Sequence, residues 1–401
     1  MRLIIYISVL PLLILLTQCQ MEEEESTQNW YKGNLHAHSL WSDGDDFPEM
    51  IMDWYKRNDY EFAVLSDHNI LAEVDKWITI GDNKGRQQAY EKYKMAFDST
   101  WIQTRRDSLD RIEVKLKMLS EYRGLYEEAD SFLIIKAEEI TDYHDGKHIH
   151  VNATNIQELI PAQGGDNVSD ILQNNIDAVN EQRERLGVPM IPHINHPNFY
   201  WSINAEDIKK LDGERFFEVY NGHPAVFNFG DETHPGMGEM WDDIQTAYLT
   251  NDKPMMYGLA TDDSHRYHNM EVGLSNPGRG WVRVGADNLT ANAIVEALER
   301  GDFYSSSGVE LKSISNSNGK LAFTIDPEEG VEYKIQFIGT KKSDLGQPGV
   351  VFEEVSGTEA SYHLKQDDLY VRAVIISNKI KENPFQEGET EMAWIQPITH
   401  P

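Results

Sequence analysis

Cysteine is nearly absent: Cys19 is the one cysteine in 401 residues. No disulfide can form within the chain, so its stability must come from a buried core, and no cysteine nucleophile is available outside the N-terminal region. Cationic side chains are also few, with 36 Lys and Arg against 67 Asp and Glu and a formal net charge of −31. Such a field repels phosphate backbones, and no Lys/Arg stripe offsets it, which argues against nucleic-acid polymer as a partner. A small phosphate ester held by bound cations is still compatible with it. No G-x-S-x-G elbow occurs, so a serine nucleophile of that type is excluded. There is no internal repeat and no low-complexity segment beyond Glu22 to Glu25.

What is present begins with Arg2, an apolar run from Leu3 to Leu16, then Thr17-Gln18-Cys19. The run is too short for a stable membrane span and reads as an export signal. LLTQC resembles a bacterial lipobox, with Gln18 departing from the usual small residue, and implies lipidation at Cys19. The expectation is a signal peptide over 1–19 and an acidic tether over 20–28. The protein would then be exported to the periplasm, outer membrane or cell surface and touch membrane only through its lipid anchor.

Five short apolar runs end in metal-type ligands: NLHAH at 34–38, FAVLSDH at 62–68, FLIIKAEEI at 132–140, MIPHINH at 190–196 and MYGLATDDSH at 256–265. Strands that end this way deliver His, Asp and Glu to one rim of a parallel β-barrel, where barrel enzymes keep their chemistry. Between the second and third runs, Leu109, Ile112, Leu116 and Leu119 fall on one helical face after a cap at Asp107 or Ser108, predicting a helical insertion over about 76–131. From about 311 the runs Leu321–Ile325, Tyr333–Phe337, Tyr370–Ile376 and Met392–Ile395 predict a small antiparallel β domain over 311–401, following a 29–310 domain that holds the histidine chemistry.

His36 and His38 alternate on a strand, which points both rings to one side. Asp43 lies in a turn that can fold a carboxylate back over them. In S-D-H-N, His68 is the expected ligand and Asp67 an acceptor that orients it. Of Glu138 and Glu139 only one can face the pocket; Glu139 is chosen as a bridging ligand, leaving Glu138 for the helix layer or a salt bridge. His148 and His150 repeat the H-x-H spacing, His193 and His196 end another run, and Asp262, Asp263 and His265 close the series. His148 and His193 remain alternatives to His150 and His196, as Asp262 does to Asp263. Aromatic residues crowd the same segments (Trp41, Tyr143, Phe199, Tyr200, Trp201, Tyr220 and Tyr267), either as core or as a pocket wall.

In this order H-x-H with S-D-G, S-D-H-N, E-E-I-T, H-V-N-A, N-H-P, F-E-V-Y-N-G and T-D-D-S-H resemble the motif series of the PHP (polymerase and histidinol phosphatase) superfamily, over roughly residues 29 to 310. The segment Ala393-Trp394-Ile395-Gln396-Pro397-Ile398 is similar to the CehA/McbA-like branch. The resemblance implies an α/β fold, a distorted (β/α)7 TIM-like barrel, with two to three divalent ions of Zn, Mn or Fe. It would place His36, His38, Glu139 and Asp263 on the first ion, His150 and His196 with bridging Glu139 on the second, and Asp43, His68 and His265 on the third. Asp67, Asn221 and His265 would serve as catalytic side chains beside the ligands.

Water activated by divalent ions then leads to a hydrolase acting on a small-molecule substrate. A phosphate mono- or diester is the leading substrate. An amide, carbamate or aryl ester on the same fold, and a non-catalytic metal- or glycan-binding surface lipoprotein, are the alternatives. Lys147 and Arg266 are the nearest cations in sequence, each either a phosphate contact or a surface residue.

Overall fold

The computed structural model describes residues 29–401. The export signal, Cys19 and the glutamate run lie outside the described residues. Strand Asn29–Asn34 pairs in parallel with Phe62–Leu65, which pairs in parallel with Leu133–His144. Leu133–His144 then runs antiparallel to Lys147–Thr154, itself antiparallel to Ile191–Ile194, and Phe216–Asn221 and Tyr257–Thr261 continue in parallel. Phe62–Leu65, Ile191–Ile194 and Phe216–Asn221 are buried at every position, as strands covered on both faces must be.

Helices supply that cover. In Val168–Leu186 the side chain of Asn167 accepts from the Asp170 N–H, and Gly187 at φ 65° ends the helix. Its Ile171, Leu172 and Ile176 are buried against Ile149, Val151 and Ile194. Each such side chain contributes roughly 1.5–3 kcal/mol on leaving water.

The molecule is α/β with one large mixed sheet, and this qualifies the expected (β/α)7 barrel. On its other edge Asn29–Asn34 pairs antiparallel with Trp281–Ala286, and the sheet continues through Phe303–Ser306, Thr390–Ile398, Asp368–Ile380, Tyr333–Lys341 and Val350–Ser356 to thirteen strands. No continuous ladder closes it. The free edge of Tyr257–Thr261 is satisfied instead by side chains. Gly258 N–H donates to Gln396 Oε1 at 3.0 Å, Gln396 Nε2 donates to Gly258 O at 2.9 Å, and Ala260 N–H donates to Ser305 Oγ at 3.0 Å. The segment after Tyr257–Thr261 comes back to the segment after Asn29–Asn34 at the rim, where Asp263 N–H donates to His36 O at 3.0 Å and His38 N–H to Ser264 O at 2.9 Å.

The insertion is not purely helical, contrary to the periodicity reading. Helices Lys84–Ala96 and Leu119–Tyr126 flank a three-stranded antiparallel sheet of Trp77–Thr79, Ile112–Lys115 and Thr104–Arg106. Asp107 Oδ1 accepts from the N–H groups of Leu109 and Arg111 and so closes a hairpin turn rather than capping a helix. Leu109 is 70% exposed, so its place in the apolar spacing was accidental.

In the C-terminal region Leu311–Ser317, Lys320–Ile325 and Glu359–His363 form a second antiparallel sheet. Its Leu321, Phe323 and Ile325 meet Ile335, Phe337 and Ile375 of the large sheet. A buried ion pair ties this region to helix Met237–Thr250: Arg372 Nε and Nη2 donate to the two oxygens of Asp242 at 2.7 and 2.6 Å, and Tyr370 adds a hydroxyl at 2.7 Å.

Candidate metal centre

Glu139 stands at the middle of the rim. Its Oε1 lies 2.8 Å from His150 Nδ1 and 3.5 Å from both His36 Nε2 and His196 Nε2. Its Oε2 lies 2.7 Å from His68 Nδ1 and 3.3 Å from His38 Nε2. Asp263 Oδ1 is 3.3 Å from Nε2 of both His36 and His38, and its Oδ2 is 3.8 Å from His196 Nε2. Asp43 reaches His265 Nε2 at 3.3 Å and His68 Nε2 at 3.6 Å. All nine expected ligands therefore fall into four overlapping donor groups whose atoms lie within 4.8 Å of one another.

The contacts are close without being hydrogen-bonded in several places. Glu139 Oε2 and both ring nitrogens of His150 are buried and have no hydrogen-bond partner, despite the 2.7 and 2.8 Å approaches. Carboxylate oxygens and ring nitrogens that converge without alignment for a shared proton suit divalent cations, and this mixed N/O donor set serves Zn, Mn and Fe alike. His36, His38, Glu139 and Asp263 would hold one ion, Glu139, His150 and His196 a second, and Asp43, His68 and His265 a third.

Electrostatics follow from burial and crowding. Burial opposes ionisation of Glu139, but His68, His150 and His36 outweigh it and hold the carboxyl well below its usual range. Asp263 behaves likewise, with burial overcome chiefly by His36 and His38. Burial, reinforced by His265 and His68, pushes His38 down to about 3, which keeps its ring neutral and able to ligate. Two of the expected ligands sit on strained backbone: His196 has φ 24° and Asp263 φ 48°, each a conformation that costs of order 1–3 kcal/mol for a non-glycine residue.

The structure places the alternative residues at different points around the cluster. Asp263 faces the cluster, whereas Asp262 turns away and accepts from the N–H groups of Arg279 and Gly280 and from Tyr55 Oη. Glu138 points into the outer layer, accepts from Ile160 N–H and makes no salt bridge among the described residues; burial pushes it up to about 8. His150 is in the donor groups and His148 lines the pocket beyond it. His196 groups with His36 and Asp263, while His193 groups with His36 and Glu218, 3.6 Å from the Glu218 carboxylate.

Two of the three expected catalytic side chains stand behind the ligands. Asp67 does not orient His68. It accepts from Ser39 N–H, Ser39 Oγ and Ser42 Oγ at 2.8, 2.8 and 2.6 Å, and so holds the turn that carries Asp43. Gly44 is required in that turn, because a Cβ there would meet His38 O at 2.4 Å. Asn221 is fully buried and donates Nδ2 to Glu218 Oε2 at 2.8 Å and to Asp263 Oδ2 at 3.2 Å, which makes it a positioning residue. His265 does face the pocket, its Nδ1 bonded to Asp263 O at 2.9 Å so that Nε2 is left for Asp43 and an ion.

Sequence reasoning missed Glu218, Asn195 and His223. Glu218 Oε1 takes the Nδ1 proton of His36 at 2.7 Å and a bond from Thr261 Oγ1 at 2.8 Å, and its Oε2 accepts from His196 N–H at 2.8 Å. A carboxylate inside the apolar run FFEVY was the available signal, since it needs partners when buried. Asn195 donates to Glu139 Oε1 at 2.7 Å. His223 lines the pocket, and Ala225 N–H donates to its Nδ1 at 3.1 Å, which assigns the remaining proton to Nε2. Burial pushes that ring down to about 4, so it is a neutral donor. Gly-His-Pro gives no sequence sign of this role beyond a turn.

These side chains surround a pocket of about 380 Å³. Arg266 and Ser275 form part of its wall, on a loop held by fully buried Arg279, which donates to Glu271 O, Gly222 O and Pro384 O. Among the described residues the Arg266 guanidinium makes no ion pair and no hydrogen bond. Lys147 does not line the pocket.

No family profile matches this chain, and no curated protein does. A solved structure similar to it is a two-domain protein containing a predicted PHP-like metal-dependent phosphoesterase from Bacteroides vulgatus. It is 16% identical over 92% of this chain and 95% of that one, with a TM-score of 0.43.

Proposed function

We propose that this chain is a metal-dependent hydrolase of the PHP type, in the CehA/McbA-like branch, that cleaves a small phosphate mono- or diester with water. The observation that carries the reading is the convergence of nine expected ligands, Glu139 at their centre, in a pocket also lined by Arg266, whose guanidinium has no partner among the described residues. Divalent cations bound there supply activated water and neutralise phosphoryl charge.

The chain's own residues supply the rest. Glu218 fixes the His36 tautomer and Asn221 the Asp263 carboxylate, so the donors are set before substrate enters. Arg266 binds a phosphoryl oxygen from the pocket lip, and neutral His223 offers its Nε2–H to a second oxygen. Export and lipidation at Cys19 belong to the same proposal, supported by the N-terminal pattern, and mass spectrometry of the mature N-terminus tests them.

A carbon-centred substrate is the second reading, favoured by there being a single Lys or Arg on the pocket lining. Metal-loaded protein assayed on p-nitrophenyl phosphate and bis-p-nitrophenyl phosphate, beside naphthyl acetate and a naphthyl carbamate, separates the two. Phosphate-ester turnover is expected, and turnover of only the carboxyl esters overturns the first reading. Tight metal binding with neither activity moves the protein to the non-catalytic class.

A further inference from the structure

We infer that one wall of the pocket mouth is a ring-binding shelf, built by Tyr143, His148, Phe199 and Tyr200, which takes the leaving-group side of a phosphate ester bearing a planar ring. This deepens the phosphoesterase reading and rests on it.

The rings form a continuous path outward from the ligands. Phe199 meets the ligand ring of His196 at a centroid distance of 4.9 Å and His148 edge-on at 5.4 Å. Tyr200 meets Phe199 at 4.6 Å and His148 at 6.2 Å, and Tyr143 meets His148 edge-on at 5.5 Å. Phe199 and His148 line the pocket, while Tyr200 and Tyr143, 61% and 59% exposed, pack against these two lining residues. Trp41, Tyr220 and Tyr267, which sequence placed in the same crowd, are buried core and take no part. The pocket thus has an aromatic wall beside the His150 and His196 ligands, and Arg266 adjoins it with His265 and Asp43.

The backbone beneath the shelf is strained. Tyr200 and Trp201 are consecutive non-glycine residues at φ 49° and 57°. Bulky side chains rarely adopt this conformation, which persists only where surroundings impose it. Trp201 supplies the constraint, stacked on Phe227 at 4.6 Å and on His234 at 4.2 Å, and Ser202 Oγ ties the loop to His148 N–H at 3.1 Å. The consequence is an exposed tyrosine ring set against Phe199 and His148, two residues of the pocket lining. An exposed, pre-positioned aromatic surface beside a charge-binding pocket suits a ligand with an anionic end and a flat apolar end.

Binding of phosphonates to metal-loaded protein, followed by calorimetry, tests this without turnover. Benzylphosphonate should bind about tenfold more tightly than n-butylphosphonate, the size expected of one or two ring contacts. Tyr200→Gly, which suits the left-handed backbone, should abolish most of that preference, and Tyr200→Phe should keep it. Equal affinities in the wild type, a preference that survives Tyr200→Gly combined with Tyr143→Ala, or no phosphonate binding would each overturn the shelf. A ring preference accompanied by no hydrolysis of benzyl phosphate would instead count against the phosphoesterase reading while leaving the shelf in place.

Discussion

Glu218 Oε1 lies 2.7 Å from His36 Nδ1, with both side chains fully excluded from solvent. The pair fixes the ring so that Nε2, not Nδ1, looks into the donor cluster, and it gives an otherwise costly buried carboxylate its partner. Glu218→Gln keeps the shape but removes the charge that holds the proton on Nδ1. Metal affinity, read by competition with a chromophoric chelator, should fall about 10–100-fold while the circular dichroism spectrum stays unchanged. Unaltered affinity would show that the tautomer is set elsewhere.

Removing the ions should destabilise the fold. Buried Glu139 and Asp263 carry negative charge that cations would neutralise, and ions that bind only the folded chain stabilise it by mass action. Dialysis against a chelator should lower the thermal midpoint, with about 3–4 kcal/mol lost relative to protein kept at 100–1,000 times the dissociation constant in metal. Readdition of Mn or Zn should restore the midpoint. A midpoint indifferent to chelator contradicts the assignment.

Among the described residues the Arg266 guanidinium has no partner to lose, so Arg266→Ala should leave stability and metal content unchanged. The loss should appear in kcat/KM for phosphate esters, by roughly one to two orders of magnitude, as expected for a charge-assisted contact of about 1.5–3 kcal/mol. Neutral carboxyl esters should be unaffected. An equal loss on both substrate classes would place Arg266 in a structural role.

Much of the donor set was legible because each ligand ends an apolar run, where the change from buried to polar residues is abrupt. Strand alternation required that only one of Glu138 and Glu139 face the pocket, with Glu139 the choice, but Asp263 and Asp262 stayed open, because the path there depends on a left-handed turn at Asp263. Asp67 was misassigned since its partners, Ser39 and Ser42, come from a turn whose path the sequence does not announce. The seam of the expected barrel was not legible for a related reason. Nothing local tells that Gln396, far along the chain, supplies the bonds that a closing strand would have made to Gly258. In the insertion, the spacing of Leu109, Ile112, Leu116 and Leu119 matched a helix, but the pairing of Trp77–Thr79 with Ile112–Lys115 is a long-range contact that outweighs local periodicity.

Glu214 offers a test away from the metals. Its Oε1 accepts from Arg215 and Phe216 N–H groups, its Oε2 has no partner, and burial pushes it up from 4.5 to about 8. A carboxyl raised in the folded state contributes stability that is fully present below its unfolded pKa and is lost as pH rises through the folded one. Stability should therefore fall between about pH 4.5 and pH 8. Glu214→Gln, which cannot ionise, should remove that slope and be more stable than wild type by roughly 1–3 kcal/mol above the folded pKa, with little difference in acid. Parallel denaturation at the two ends of the range decides it, and identical pH slopes would refute the assignment.

The most direct test of the central claim is elemental analysis of the purified protein beside Glu139→Ala. Glu139 touches donors of every proposed ion site. Two to three equivalents of divalent metal are expected in the wild type, with the loss of at least one in the folded variant. A wild-type protein that stays metal-free after exposure to Zn and Mn, or a variant that retains the full complement, would contradict it.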